Sequence, residues 1–209
     1  MLYTKVFYEN REMDNERLEL TDKGSLYFLG ENLTLRNCTL VIKVPRRNLF
    51  IDRVRFLDCT FEVKQQLTNY QQWIRASLQG CRFKGHFSGN DFGYWPGYGS
   101  QPEYQFGSID VCDFSEARLD GCRFHGCDPR ALRFPLWPCF TFVDPLRHAA
   151  VLRCGKWPEW FNDVIVQELH TQPSSTVALT YHAPSVAKRL RTTAEELRSV
   201  IEQFDCFSY

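Results

Sequence analysis

In the stretch "CRFHGC", two thiols and an imidazole, Cys122, His125 and Cys127, fall within six residues. Cysteine and histidine are the ligands of structural zinc, but such a site needs four convergent ligands, usually in paired short spacings. The other histidines, His86, His148, His170 and His182, fall in no HExxH or similar ligand pattern. A disulfide framework is the second chemistry open to nine cysteines, and an odd number cannot pair completely. A catalytic thiol is the third, and it must be exposed beside a cation that stabilises its thiolate. Against these stands a plain use of cysteine as a small, buried apolar residue. Asp144, Arg147 and His148 in "DPLRH" come with no G-x-S-x-G elbow and read as a solvated turn. No Gly-rich loop is placed to cradle a phosphate.

The spacing of the cysteines favours the plain use. Five segments share one form, an aliphatic or aromatic residue, two residues, Cys, one residue, then Leu or Phe: "LRNCTL", "FLDCTF", "LQGCRF", "IDVCDF" and "LDGCRF". Extended upstream, four of the matches become paired pentads, "LTLRN CTLVI", "VRFLD CTFEV", "ASLQG CRFKG" and "ARLDG CRFHG", which start at residues 33, 54, 76 and 117. Offsets of 21, 22 and 41 suggest a coil of about 21 residues, with one turn of irregular sequence before the last pair. A coil divided in fives has four short sides, and its apolar residues can be buried only by stacking on neighbouring coils one strand spacing away.

The pentads resemble those of the pentapeptide-repeat proteins, most sharply from Cys112 to Cys127 and over roughly residues 25 to 127. The resemblance implies a mainly β fold: a short right-handed parallel quadrilateral β-helix, with a small residue and a Leu or Phe pointing inward from each pentad. Cys38, Cys59, Cys81, Cys112, Cys122 and Cys127 then occupy the small inward slot, which Ala76 and Ala117 fill elsewhere. Lys43 to Arg53 and Lys64 to Arg75 lack clear pentads, so one face of the coil is expected to be distorted or to carry a conventional longer strand.

The repeat organisation gives a β-helix over residues 1–127 and an α-rich, mixed α/β cap subdomain over 128–209. Within the first unit, residues 86–110 are dense in Gly and Pro and read as an irregular aromatic loop. Its Phe92, Tyr94, Trp95, Tyr98 and Tyr104 either fold back as cover or anchor a protein partner. The second unit shows a strand at Pro138 to Val143, a helix after Pro158, a strand in "STVALTYH", and a final helical segment from Pro184. In that segment Thr193 and Glu196 have capping-box spacing, and Leu190, Leu197, Val200, Ile201 and Phe204 form a stripe. The helices are expected to cap the open end of the coils or to serve as a docking surface.

Composition excludes little but directs the functional reading. Lys plus Arg and Asp plus Glu both number 25, so no overall charge attracts nucleic acid or an anionic membrane. The first residues have no apolar run of the signal-peptide kind, and a cytoplasmic protein is expected. The repeat-plus-cap layout is similar to that of bacterial immunity proteins, which implies a non-enzymatic antitoxin-type binder without cofactor or metal. Its partner would be another protein, a toxin domain, with a homodimer also open and neither nucleic acid nor membrane expected. The alternatives are a DNA-mimicking pentapeptide-repeat protein that protects gyrase, which zero net charge disfavours, and a small β-helix enzyme.

Overall fold

The structure, a computed structural model, describes residues 3–99 and 105–209. The chain coils into a parallel β-solenoid. Its strands align in ladders because residues 21 or 22 apart in sequence fall side by side. One ladder holds β1 (Thr4–Tyr8), β4 (Ser25–Leu29) and β7 (Leu49–Ile51). A second stacks β2 (Arg11–Asp14), β5 (Leu33–Arg36), β8 (Val54–Leu57), β10 (Ala76–Gln79) and β13 (Ser108–Asp110). The third stacks β3 (Arg17–Leu20), β6 (Thr39–Ile42), β9 (Thr60–Thr68), β11 (Arg82–Ser88) and β14 (Asp113–Asp120). A further pairing, β12 (Asp91–Gly93) with β15 (Cys122–His125), is confined to the last two coils. The long strand expected where the pentads fade is β9, nine residues from Thr60 to Thr68.

Inward residues pile into two apolar columns. Met13, Leu35, Phe56, Leu78 and Ile109 are successive register partners, all buried. Leu18, Leu40, Phe61 and Phe83 form the other, and Phe114 continues it with its ring stacked 4.5 Å from that of Phe83. The first coil is β1 to β3, where the sequence has no recognisable pentads. One expectation is corrected by this register: no irregular turn stands between the pairs at 76 and 117. Leu78 pairs directly with Ile109, and Ala117 pairs with Gly85, so "ARLDG CRFHG" forms later sides of the next coil. That coil is lengthened by an insertion, since Ser77 meets Ser108 instead of a residue some 22 positions on.

The corner chemistry explains the cysteines. Asn37, Asp58, Gly80 and Val111 turn the chain with φ of 47°, 54°, 64° and 49°, and each is followed by Cys38, Cys59, Cys81 or Cys112. Left-handed backbone suits Asn, Asp and Gly, and the next side chain is thrown into the coil. Stacking adds a steric demand, because a Cβ on Gly80 would lie 2.2 Å from Asp58 Oδ1. Each thiol has its one hydrogen within reach of two carbonyls, that of the residue two before it and one in the preceding coil. Cys38 reaches Arg36 and Met13, at 3.3 and 3.4 Å, and Cys59 reaches Leu57 and Leu35, at 3.4 and 3.3 Å. At another corner Gly89, with φ of 62°, precedes buried Asn90, whose amide donates to the Ser88 and Leu67 carbonyls, both at 2.9 Å. The slot therefore takes a small donor, not merely a small residue.

Of the six cysteines assigned to that slot, Cys127 departs, being only half-buried, and Cys139 is the further buried thiol, donating to the Leu119 carbonyl at 3.7 Å. Burial pushes the thiols of Cys59 and Cys122 up to about 12. In the folded protein a thiol reagent at neutral pH is accordingly expected to modify exposed Cys154 first. Cys38, Cys59, Cys81, Cys112, Cys122 and Cys139 should react only after unfolding. Rapid modification of all nine under native conditions would contradict the corner geometry.

β15 leads into the C-terminal region through a shared sheet. It pairs antiparallel with β17 (Thr176–His182), which pairs with β16 (Cys139–Val143), and β16 pairs with β18 (Phe207–Ser208). Around this sheet lie α1 (Pro145–Leu152), α2 (Glu159–Phe161), α3 (Ala183–Leu190) and α4 (Ala194–Ile201). The helix expected after Pro158 starts there as α2 but continues through a wider π turn (Asn162–Val166) and a tight 3-10 turn (Gln167–Thr171). The Thr193 and Glu196 capping box forms at the start of α4. "DPLRH" is not a solvated turn, since Asp144 is the N-cap of α1 and Pro145 opens the helix. Phe140, Phe142, Phe161 and Leu197 anchor a second core, whereas Leu132, Phe134 and Ala178 still belong to the first.

Candidate functional site

Only part of 86–110 is irregular, because β11, β12 and β13 run into it from both sides. Phe92 lies on β12 with no exposed surface, stacked 5.8 Å from Trp73 and 5.3 Å from Phe124. It is a core residue and can touch no partner. Tyr94 is half-buried and donates its hydroxyl to Gln105 Oε1 at 2.7 Å. Trp95 folds back over the last coil, and Tyr98, 38% exposed, leans on it at 4.9 Å. Tyr104 lies outside the described residues.

Beneath Trp95 is a polar clasp that the sequence reading missed. The Asp91 carboxylate accepts two hydrogen bonds from Arg123, at 2.6 and 3.0 Å, and a third from His125 Nε2 at 3.2 Å. A carboxylate only accepts, so Nε2 carries a proton. His125 Nδ1 faces the hydroxyls of Ser175 at 3.2 Å and Thr176 at 3.4 Å, tying the solenoid to β17. The indole of Trp95 stacks on His125 at 4.7 Å and takes the Arg123 guanidinium over its ring at 4.8 Å. Burial alone would raise the Asp91 pKa, but the bonds from His125 and Arg123 outweigh it and hold the carboxyl below its usual range. Asp91, His125 and Ser175 follow the order of a hydrolytic triad. The imidazole, however, is fully buried and covered by Trp95, so the arrangement joins elements instead of presenting a nucleophile. A partial signal was present in the sequence, since "NDFG" and "CRFH" are stacked segments with Asp91 beside Arg123.

A groove of about 460 Å³ opens on the other side of the join, between the outer face of β11 and β14 and the segment that leads into β16. His86, Ser115, Glu116, Arg118 and His182 supply its polar groups, and Pro135, Leu136, Trp137 and Pro138 its apolar wall. Arg118 donates to Ser185 Oγ at 2.7 Å, and that hydroxyl lies 2.8 Å from His182 Nδ1. If Ser185 accepts from Arg118 and gives its own hydrogen to Nδ1, all three groups are satisfied and the imidazole proton stands on Nε2. Burial, followed by the charge of Arg118, lowers the His182 pKa, which keeps the ring neutral at pH 7. Glu116 on the same rim is held by Lys84 at 2.9 Å, and Asp120 behind it by Arg189 at 3.5 Å.

The C-terminal region also carries bare apolar side chains. Leu136 is 70% exposed, Val151 58%, Trp160 53% and Val164 51%. Trp160 and Val164 are one helical turn apart, on α2 and its continuation. A second hollow of about 500 Å³ lies beside Trp160, between α2 and the junction of α3 with α4. Among the described residues, no group of three or more His, Cys, Asp or Glu is placed to hold a metal. No described helix is long and apolar enough to cross a membrane. Neither a protein-family model, a curated protein nor a solved structure matches the chain.

Proposed function

We propose that the protein is a pentapeptide-repeat-like binding module of the immunity type, a cytoplasmic protein that neutralises a toxin by covering part of its surface. The observation that supports this reading is the exposed pair Trp160 and Val164, one helical turn apart beside an open hollow. An indole more than half exposed is costly to leave in water and is among the strongest anchors of protein interfaces. Solenoids supply rigid platforms, and their capping elements present side chains without having to order them on binding. Trp160 with Val164 forms the centre of the contact in this reading, and the hollow beside Trp160 receives a side chain of the partner.

Co-expression with the toxin domain encoded in the adjoining reading frame should restore growth, and the two chains should co-purify as a stoichiometric complex. Trp160→Ala should weaken that complex at least tenfold, as expected for an interface anchor, without changing the thermal midpoint of the free protein. Failure to rescue growth, with no complex formed, would overturn the reading.

A further inference from the structure

The groove beside Arg118 has features of a recognition site that packing does not require. Arg118 is exposed, and it spends one guanidinium N–H on Ser185. His182 is only 8% exposed yet lines the groove, and its Nε2 has no hydrogen-bond partner among the described residues. His86, exposed, stands beside Arg118 on the neighbouring strand. The first turn of α3, whose partial charge is positive, begins immediately after His182. The nearest acids are already engaged, Glu116 by Lys84 and Asp120 by Arg189. What remains is an arginine fork and, in the tautomer set when Ser185 donates to Nδ1, an imidazole N–H, facing a wall of two prolines, Leu136 and Trp137.

We propose that this groove binds an acidic segment of a protein partner, with one carboxylate held by Arg118 and His182 and a neighbouring apolar side chain laid against Leu136 and Trp137. This deepens the reading of the protein as a binding module and rests on it. Planar guanidinium and carboxylate groups match in a two-bond geometry, and His182 Nε2 supplies a further donor from a fixed ring. A nucleic acid fits less well, because its backbone would find no use for the apolar wall of Leu136 and Trp137.

The test is a selection from a phage-displayed library of random decapeptides against the intact protein. Enriched peptides should carry Asp or Glu next to a Leu, Phe or similar residue. Changing that acid to its amide, or making Arg118→Ala, should each weaken binding at least tenfold, and Arg118→Lys should recover part of the loss. Both variants should keep the parent thermal midpoint, because Arg118 is a surface residue. Enrichment without acidic residues, no enrichment at all, undiminished binding by Arg118→Ala, or displacement of the peptides by a single-stranded oligonucleotide would each overturn the assignment. The two proposals fail separately. A toxin complex that keeps full affinity with Arg118→Ala but loses it with Trp160→Ala leaves the binding module standing without the groove. Groove-directed peptides with no toxin complex would leave the groove without the immunity role.

Discussion

Phe83→Ala is expected to cost about 3–5 kcal/mol, the range for removing a fully buried aromatic ring from a core that cannot collapse around the void. Phe83 has no exposed surface and sits in the middle of the aromatic column, between Phe61 at 4.7 Å and Phe114 at 4.5 Å. Trp73, Phe87 and Phe92 meet it edge-on at 5.6, 5.9 and 5.5 Å. In a solenoid each coil is stabilised by its two neighbours. A cavity at Phe83 therefore weakens two coil interfaces, whereas Leu18→Ala in the first coil weakens one. A loss of this size is a large fraction of the ~5–15 kcal/mol that domains possess. Urea unfolding at pH 7 should show a much lower midpoint for Phe83→Ala and a smaller drop for Phe83→Leu and Leu18→Ala. If Phe83→Ala proves no more harmful than Leu18→Ala, the column is not the central support of the stack.

The same column shows how far the sequence could be read. Its cysteine spacing locates the corner at Cys38, Cys59, Cys81 and Cys112, because that corner imposes two local demands at once: left-handed backbone at the preceding residue and a small donor inside. The demands leave a trace in "RNC", "LDC" and "QGC". Coil one left none. Its corner residue Asn15 has φ of 57°, but the next residue is Glu16. At the end of the stack only one side has a neighbouring coil to satisfy. The insertion misled for a related reason. Counting residues from Ala76 to Ala117 treats every pentad as equivalent, whereas backbone pairing puts Ala117 beside Gly85, on another side of the coil. α3 and α4 were legible through Pro184 and the Thr193 and Glu196 box, which are local signals, whereas α1 was not, although Pro145 opens it. The groove was not. Stacking of β11 on β14 sets His86 beside Arg118, but His182 joins them only when the cap sheet folds back beside β14, and no spacing within the chain records that contact.

The clasp at Asp91, whose stacked segments were visible but whose partners were not, carries the second large effect. Asp91→Ala should destabilise the protein by about 3–5 kcal/mol at pH 7, the range for removing one partner of a buried ion pair. Its side chain is 1% exposed, and removing it leaves Arg123 and buried His125 without their acceptor. The carboxyl has a lower pKa in the folded protein than in the unfolded chain, so folding favours its ionised form. The contribution is then full above the unfolded value, near ~3.9, and is lost as pH falls through the folded value. Stability curves of the parent and Asp91→Ala should thus lie far apart at neutral pH and draw together in acid. Asp91→Asn keeps an oxygen for His125 Nε2 but removes the charge facing Arg123, so it should fall between the two at pH 7. A gap between parent and Asp91→Ala that stays constant down to pH 3 would mean that the clasp acts by filling space. In that case Trp95, and not the carboxylate beneath it, would be what fastens the insertion to the last coil.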